Sequence, residues 1–376
     1  MDITALPFDA EEMLAGLRPW VECESPTSDA GAVNRMMDLA AHDFAAMGVQ
    51  IERIPGRMGL GDSVRARFPH KQIGEPGILV LGHLDTVHPV GTLEALPFRR
   101  KGEHCYGPGI CDMKGGNYLA LEALRQLARA GIETKLPVTV LFTPDEEIGT
   151  PGMRGLIEAE AARARAVLVP EPGRRDGGVV SGRYAIARFN LATRGRPSHA
   201  GAQLSKGRSA IREMARRILQ IEDMTTEDCT FSVGVFHAGH WVNCVSSLAE
   251  AEVLSMAKRQ SDLDRGIEQI LALADADAEV TFEVQRGVTR PVWEPGAGTM
   301  RLVEIARDLA SQVGTGFRHE SAGGGSDGNF TGAMGIPTLD GLGVEGDGIH
   351  TLGEHIFVPT LATRGRIMAG LLALID

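Results

Sequence analysis

Three short apolar runs in this chain each end on charged side chains, and that repetition limits the fold more than any other feature. Gly77-Ile78-Leu79-Val80-Leu81 leads into His83 and Asp85, Leu136–Thr143 into Glu146 and Glu147, and Ala166–Val169 into Glu171. Apolar runs this short, bounded by turn-forming residues, read as buried strands. Between them, Met113 to Ala130 and Met153–Arg163 carry helical patterns, the first stopped by Gly131. Strands alternating with helices predict a layered α/β domain with a central, mainly parallel sheet. In such sheets ligands gather beyond the carboxyl ends of the strands, where these acidic and imidazole groups lie.

The rest of the chain separates into two styles. Residues 9–20 and 30–47 read as amphipathic helices, and 49–54 and 62–68 as strands. From Tyr184 the order becomes strand (to Thr193), helix (Lys206–Met224), strand (Thr230–His237), strand (Trp241–Met256), helix (Asp262–Ala274), strand (Ala278–Gly287). That β-α-β-β-α-β order is the ferredoxin-like unit. After Pro291 the first style returns, with a helix at 297–313, a strand at Ile336–Leu339 and a helix at 359–375. The expected organisation is one α/β domain from residues 1–180 and 289–376, with residues 181–288 inserted.

Composition narrows the function. Thirty-eight Lys and Arg against 49 Asp and Glu give a formal charge of −11, which argues against a nucleic-acid binder needing a basic face. The five cysteines are scattered, with no Cys-x-x-Cys pair, and suggest neither a disulfide framework nor a thiolate zinc site. A redox role for Cys111 would need a resolving partner that the spacing does not provide. No apolar run approaches a membrane span, and the N-terminal residues carry no secretory pattern, so the expected location is the cytoplasm.

The residues themselves suggest a metal. In extended chain, residues two apart project to one side, so Asp85 can fix the His83 ring while its other nitrogen binds an ion; a simple His–Asp hydrogen bond is the alternative. Several carboxylates crowded on one edge repel unless a cation is present, and mixed His/carboxylate shells suit zinc, manganese or cobalt. If the chain stays extended at Glu146-Glu147, one side chain can bind metal while the other faces water as a general base; a solvated acidic turn is the plainer reading. Asp112 precedes a helix and suits an N-cap equally well. Lys114-Gly115-Gly116 lets backbone approach something closely. His350 lies in a glycine-rich loop, where a histidine is commonly just exposed.

Gly82-His83-Leu84-Asp85-Thr86-Val87, Gly107–Gly116, Asp145-Glu146-Glu147-Ile148-Gly149, Glu171-Pro172, Arg196–Gly201 and Gly323-Gly324-Gly325-Ser326-Asp327 together resemble the M20 metallopeptidases, over essentially the whole chain. The nearest branch is similar to glutamate carboxypeptidase, with acetylornithine deacetylase and succinyl-diaminopimelate desuccinylase as cousins. The resemblance implies a zinc-peptidase-type catalytic domain and an inserted dimerisation or lid domain. It implies two divalent ions, zinc before cobalt or manganese, with Asp112 bridging, His83 and Glu171 on one and Glu147 and His350 on the other. Glu146 would be the general base and Asp85 the support of His83. His199 would stabilise the oxyanion from across a homodimer interface, and Asn243, Arg290, Gly324 and Gly325 would contact substrate. The implied reaction is hydrolysis of the amide bond of a peptide or N-acyl amino acid with a free carboxylate. A non-catalytic binder that kept the fold is the alternative from another class.

The match weakens at the substrate. Glutamate-releasing relatives carry Asp-x-Arg where this chain has Leu254-Ser255-Met256, and methionine cannot pair with a carboxylate. Arg290 remains as a candidate anchor, with Arg259 a less placed substitute.

Overall fold

The strand Gly77–His83 is the axis of a layered unit because its alternate side chains feed two different cores. Ile78 and Val80 join a large cluster with Leu119, Leu121, Met368 and Leu371, whereas Leu79 and Leu81 join a second cluster with Ile157 and Phe330. Side chains alternate across a strand, so a run apolar at every position must be covered on both faces. Helices supply both covers.

The computed structural model describes residues 2–376, and the chain forms two units. One comprises the chain up to Gly182, Trp293–Ala322 and Ser326–Asp376; the other comprises Arg183–Val292 and Gly323–Gly325. The first unit holds a six-stranded sheet in the order Gln50–Ile54, Ser63–Arg67, Val138–Thr143, Gly77–His83, Ala164–Leu168, Thr338–Leu339. The last four are mutually parallel, and Ser63–Arg67 runs antiparallel to the neighbour on either side of it. His83 pairs with Thr143 in register, so both strands end at one level and their following loops start side by side. Asp9 and Asp29 cap the helices Ala10–Glu22 and Ala30–Ala45 by accepting from first-turn N–H groups.

A second, smaller sheet in this unit aligns Gly346–Asp347, His355–Phe357, His104–Tyr106 and Arg99–Lys101. It fixes the two loops that matter below, 107–114 and 348–354.

The other unit is a four-stranded antiparallel sheet in the order Cys229–Ala238, Leu248–Ala257, Ala185–Arg194, Thr281–Arg290. Ala185, Ala187, Phe189 and Leu191 face a core with Met214, Ile221, Leu263 and Ile270 from the helices Ala210–Glu222 and Gln260–Leu271. This is the ferredoxin-like arrangement.

Some expected elements shrink. The strand expected over Trp241–Met256 begins at Leu248, because Gly239 takes a left-handed φ of 74° and Cys244 N–H closes a turn onto Trp241 O. The helix expected from Lys206 starts at Ala210, where Ser209 caps it. The strand expected over Ile336–Leu339 is only Thr338–Leu339. Among the described residues no helix is long and apolar enough to cross a membrane.

Candidate metal centre

The loops that follow the parallel strands deliver their side chains to one place. His83 ends its strand, with its peptide oxygen accepting from Asn117 Nδ2 at 2.6 Å. Its ring Nδ1 lies 3.0 Å from Asp85 O and 3.4 Å from the Asp85 carboxylate. An acceptor there keeps the ring proton on Nδ1 and turns the Nε2 lone pair outward. Nε2 lies 3.3 Å from Asp112 Oδ1, 3.8 Å from Glu171 Oε1 and 4.0 Å from Glu146 Oε2.

Asp112 does not cap the helix that follows it: Gly115–Arg129 has no side-chain cap. Its second oxygen, Oδ2, lies 3.3 Å from His350 Nε2, which is also 3.1 Å from Glu147 Oε2. One carboxylate therefore presents one oxygen to each of two histidines. His350 holds a left-handed φ of 63°, a backbone state that a histidine rarely adopts and that recurs at functional sites.

Glu146 and Glu147 are not extended. They open a single 3₁₀ turn, Glu146–Ile148, closed by Gly149 at φ 96°, so neighbouring side chains diverge by about a third of a turn rather than pointing oppositely. Both turn inward. The Glu146 and Glu147 N–H groups donate to Asp85 at 3.2 and 3.3 Å, and Thr27 Oγ1 donates to Asp85 at 2.7 Å. Asp85, fully buried, thus supports His83 and anchors the glutamate turn together.

The close approach at Lys114-Gly115-Gly116 is to the Glu171 segment. A Cβ on Gly116 would sit 1.8 Å from Pro170 O, so only glycine lets this helix start against Pro170-Glu171-Pro172.

Electrostatics mark the cluster as short of positive charge. Burial pushes the Glu147 carboxyl up to about 8, and burial with the nearby Asp112 charge pushes Glu171 well above the ordinary range. Asp112 and Glu147 draw His350 up to about 10. Burial disfavours charge on His83, but the surrounding carboxylates of Asp112 and Asp85 outweigh it and raise its proton affinity. Burial likewise opposes ionisation of Asp112, which the two histidines hold well below the usual range. With protein groups alone the cluster balances its charge with protons; a divalent cation would do the same.

The donors fit such cations. His83 Nε2 and Glu147 Oε1 are buried with no hydrogen-bond partner among the described residues. His83 with Asp112 and Glu147, and His83 with Glu146 and Glu171, bring donor atoms within 4.8 Å of one another. Imidazole and carboxylate donors at this density suit zinc, cobalt or manganese.

Five further candidates, His199, Asn243, Arg290, Gly324 and Gly325, lie in the second unit. His199 is exposed, and its Nδ1 accepts from Gly201 and Ala202 N–H at 3.1 and 3.0 Å. Ala200 N–H donates to Asn243 O at 2.9 Å, so His199 and Asn243 sit in adjoining loops, with Asn243 in the turn before Leu248 rather than on a strand. Arg290, buried at a strand end, passes so close to Gly325 that a Cβ there would lie 2.6 Å from its Cδ. Gly324 takes φ 81°. Met256 lies on the more open face of its strand, paired with Ile186. Sequence reasoning missed His88 and Glu354, a buried pair beside the Asp112 loop whose separation of 266 residues left no local signal.

The family profile described as Peptidase family M20/M25/M40 matches residues 79–374. Carboxypeptidase G2 of Pseudomonas sp. (strain RS-16) is 30% identical over 359 residues, covering 93% of this chain and 85% of that protein. Succinyl-diaminopimelate desuccinylase of Verminephrobacter eiseniae is 27% identical, covering 93% and 91%. Among solved structures, an M20 family metallo-carboxypeptidase from Sulfolobus solfataricus superposes with a TM-score of 0.77 at 16% identity, covering 98% of this chain and 99% of the other.

Proposed function

The chain belongs to peptidase family M20/M25/M40, and from that premise we propose that it is a di-zinc hydrolase cleaving the amide bond of a peptide or N-acyl amino acid that bears a free carboxylate. The observation that carries the reading is Asp112, whose two oxygens lie 3.3 Å from His83 Nε2 and 3.3 Å from His350 Nε2. One cation would take His83, Asp112 and Glu171, the other Asp112, Glu147 and His350. When bound, such a pair supplies Lewis acidity toward the scissile carbonyl and a water acidic enough to attack at neutral pH.

The chain's own groups do the rest. Glu146, anchored through its N–H to Asp85, accepts the proton of the attacking water and returns it to the leaving amine. Asp85 keeps the His83 ring oriented. His199 is assigned the oxyanion, a role worth about 10²–10³ in rate, and Asn243, Arg290, Gly324 and Gly325 are assigned to substrate. With Met256 at the arginine position, preference shifts from acyl-glutamate toward less acidic or more apolar substrates.

A homodimer is proposed through the inserted unit. Its Cys229–Ala238 strand is a sheet edge whose second half is exposed, including Val235 and Phe236, and such edges pair readily with another chain. A monomeric mass in solution would remove that assignment. The proposed compartment is the cytoplasm, which fractionation would test.

The test is turnover of a panel of N-acyl amino acids and dipeptides by zinc-loaded protein, with Glu146→Gln alongside. The variant is expected to keep its metal and lose about 10²–10⁴ in rate. Native-like turnover in it would refute the base assignment, and clear preference for acyl-glutamate would refute the effect given to Met256.

A further inference from the structure

Glu354 is buried, and both its oxygens are engaged by groups from other segments. Oε1 accepts from Cys111 N–H at 2.8 Å and Asp112 N–H at 3.0 Å, and Oε2 accepts from Gly109 N–H at 2.9 Å. Oε2 also lies 2.7 Å from Nε2 of His88, itself buried. Gly109 has a left-handed φ of 68°, which turns successive N–H groups of its loop toward one concavity, an anion-binding nest.

Each partner sits close in sequence to a candidate metal donor. His88 follows His83 by five residues, the nest ends on Asp112 itself, and Glu354 lies four residues beyond His350. Thr351 O accepts from Glu354 N–H at 3.2 Å, so the turn carrying His350 and the one carrying Glu354 move as a piece. Fixing the Asp112 N–H fixes where its Cα stands, and hence how its two oxygens meet His83 and His350.

We infer that Glu354, braced by His88, is a positioning residue that sets the Asp112 carboxylate against His350 and so controls divalent-metal affinity. The inference rests on the di-metal reading above. Glu354 touches neither substrate nor the reacting atoms; it acts by holding three donor-bearing loops in one register. Groups one step behind metal ligands commonly change affinity by about 10–100-fold when replaced. In Glu354→Gln the amide nitrogen must face donors on one side, so one half of the nest loses its acceptor.

The experiment titrates metal-free full-length protein with Zn²⁺ by calorimetry and with Co²⁺ by visible absorption, for native, Glu354→Gln, His88→Asn and Glu122→Gln. Glu122 is a buried carboxylate bonded to Gln126 on the helix Gly115–Arg129, and its variant controls for general loss of a buried acid. The expected result is a rise in metal Kd of about 10–100-fold and an altered Co²⁺ spectrum in Glu354→Gln and His88→Asn, with Glu122→Gln unchanged. If Glu354→Gln does not fold, His88→Asn carries the test. A Kd within about twofold of native in folded variants that show only a lower metal-free unfolding temperature would overturn the inference and leave Glu354 structural. Failure of native protein to bind two divalent ions would instead overturn the di-metal reading itself.

Discussion

Replacing Asp145 with asparagine should make the stability of the first unit less sensitive to pH. Asp145 is fully buried. Its Oδ2 accepts from Gly152 N–H at 2.7 Å and Met153 N–H at 3.2 Å, while Oδ1 has no hydrogen-bond partner among the described residues. Burial, reinforced by the Asp327 and Asp85 charges, pushes the carboxyl from 3.8 up to about 7. Between those values the native chain holds a proton that the unfolded chain has released. The unfolded state therefore binds fewer protons, and stability falls as pH rises. At about 1.4 kcal/mol per pH unit the loss is about 4 kcal/mol once pH exceeds 7. Asparagine ionises in neither state and escapes that loss, but its NH₂ inherits the unpartnered position at a cost of about 1–3 kcal/mol. The variant should be less stable than native near pH 4 and more stable near pH 8. Urea unfolding of chelated protein would measure this, followed by the emission of Trp20 and Trp293, both buried in the first unit. The other titrating groups are common to both proteins and largely cancel in the difference. A difference that stays flat from pH 4 to pH 8 would sink the reasoning.

Gly116→Ala should cost about 1–3 kcal/mol or more through overpacking and weaken metal binding, because the new methyl meets Pro170 O, next to Glu171. Its control is Gly155→Ala, whose Cβ meets nothing within 4 Å and whose helical site should gain about 0.5–1 kcal/mol; differential scanning fluorimetry and metal analysis separate them, and equal behaviour would refute the packing account. Chelation should lower the unfolding midpoint, since free ion at about 100 times Kd stabilises by about 2.7 kcal/mol per site. Added zinc should restore the midpoint, and indifference to both treatments would count against the centre.

The elements legible in the sequence were those whose periodicity had room to show itself. Gly77–His83 and Gly115–Arg129 carry unbroken apolar or amphipathic patterns. Arg99–Lys101, His104–Tyr106 and His355–Phe357 are three residues each, too short for any pattern, yet they hold the Asp112 and His350 loops. Trp241–Ser247 looked like strand because its apolar residues mimic one; the turn there comes from backbone geometry at Gly239 and from hydrogen bonds along the loop. At the centre, His83, Glu146, Glu147 and Glu171 stood out because each follows a strand end, whereas Asp112, equally an N-cap by sequence, and His350, one histidine in a loop, entered only through the family motifs. His88 and Glu354 offered no such cue. Of the two readings open at Glu146-Glu147, the turn is the one formed, because strand geometry ends at Thr143 and a left-handed Gly149 closes the 3₁₀ turn that follows.

The carboxylates of this region divide by what they bond, and that division separates two kinds of residue that a motif cannot. Asp112, Glu147 and Glu171 lie with Glu146 around His83 Nε2 and His350 Nε2, and the pair His83 Nε2 and Glu147 Oε1 includes buried atoms with nothing to bond. Asp85 and Glu354 instead spend their oxygens on main-chain N–H groups: those of Glu146 and Glu147, and of Gly109, Cys111 and Asp112. A carboxylate saturated by N–H donors has little left to offer a cation, whereas one facing other carboxylates is held there only against repulsion. Replacing the first kind should move the loops, and with them every donor they carry. Replacing the second removes a donor and leaves the loops where they are. Asp85 and Glu147 are both acids within motifs at strand ends, and only their hydrogen-bond partners tell which of them holds and which is held.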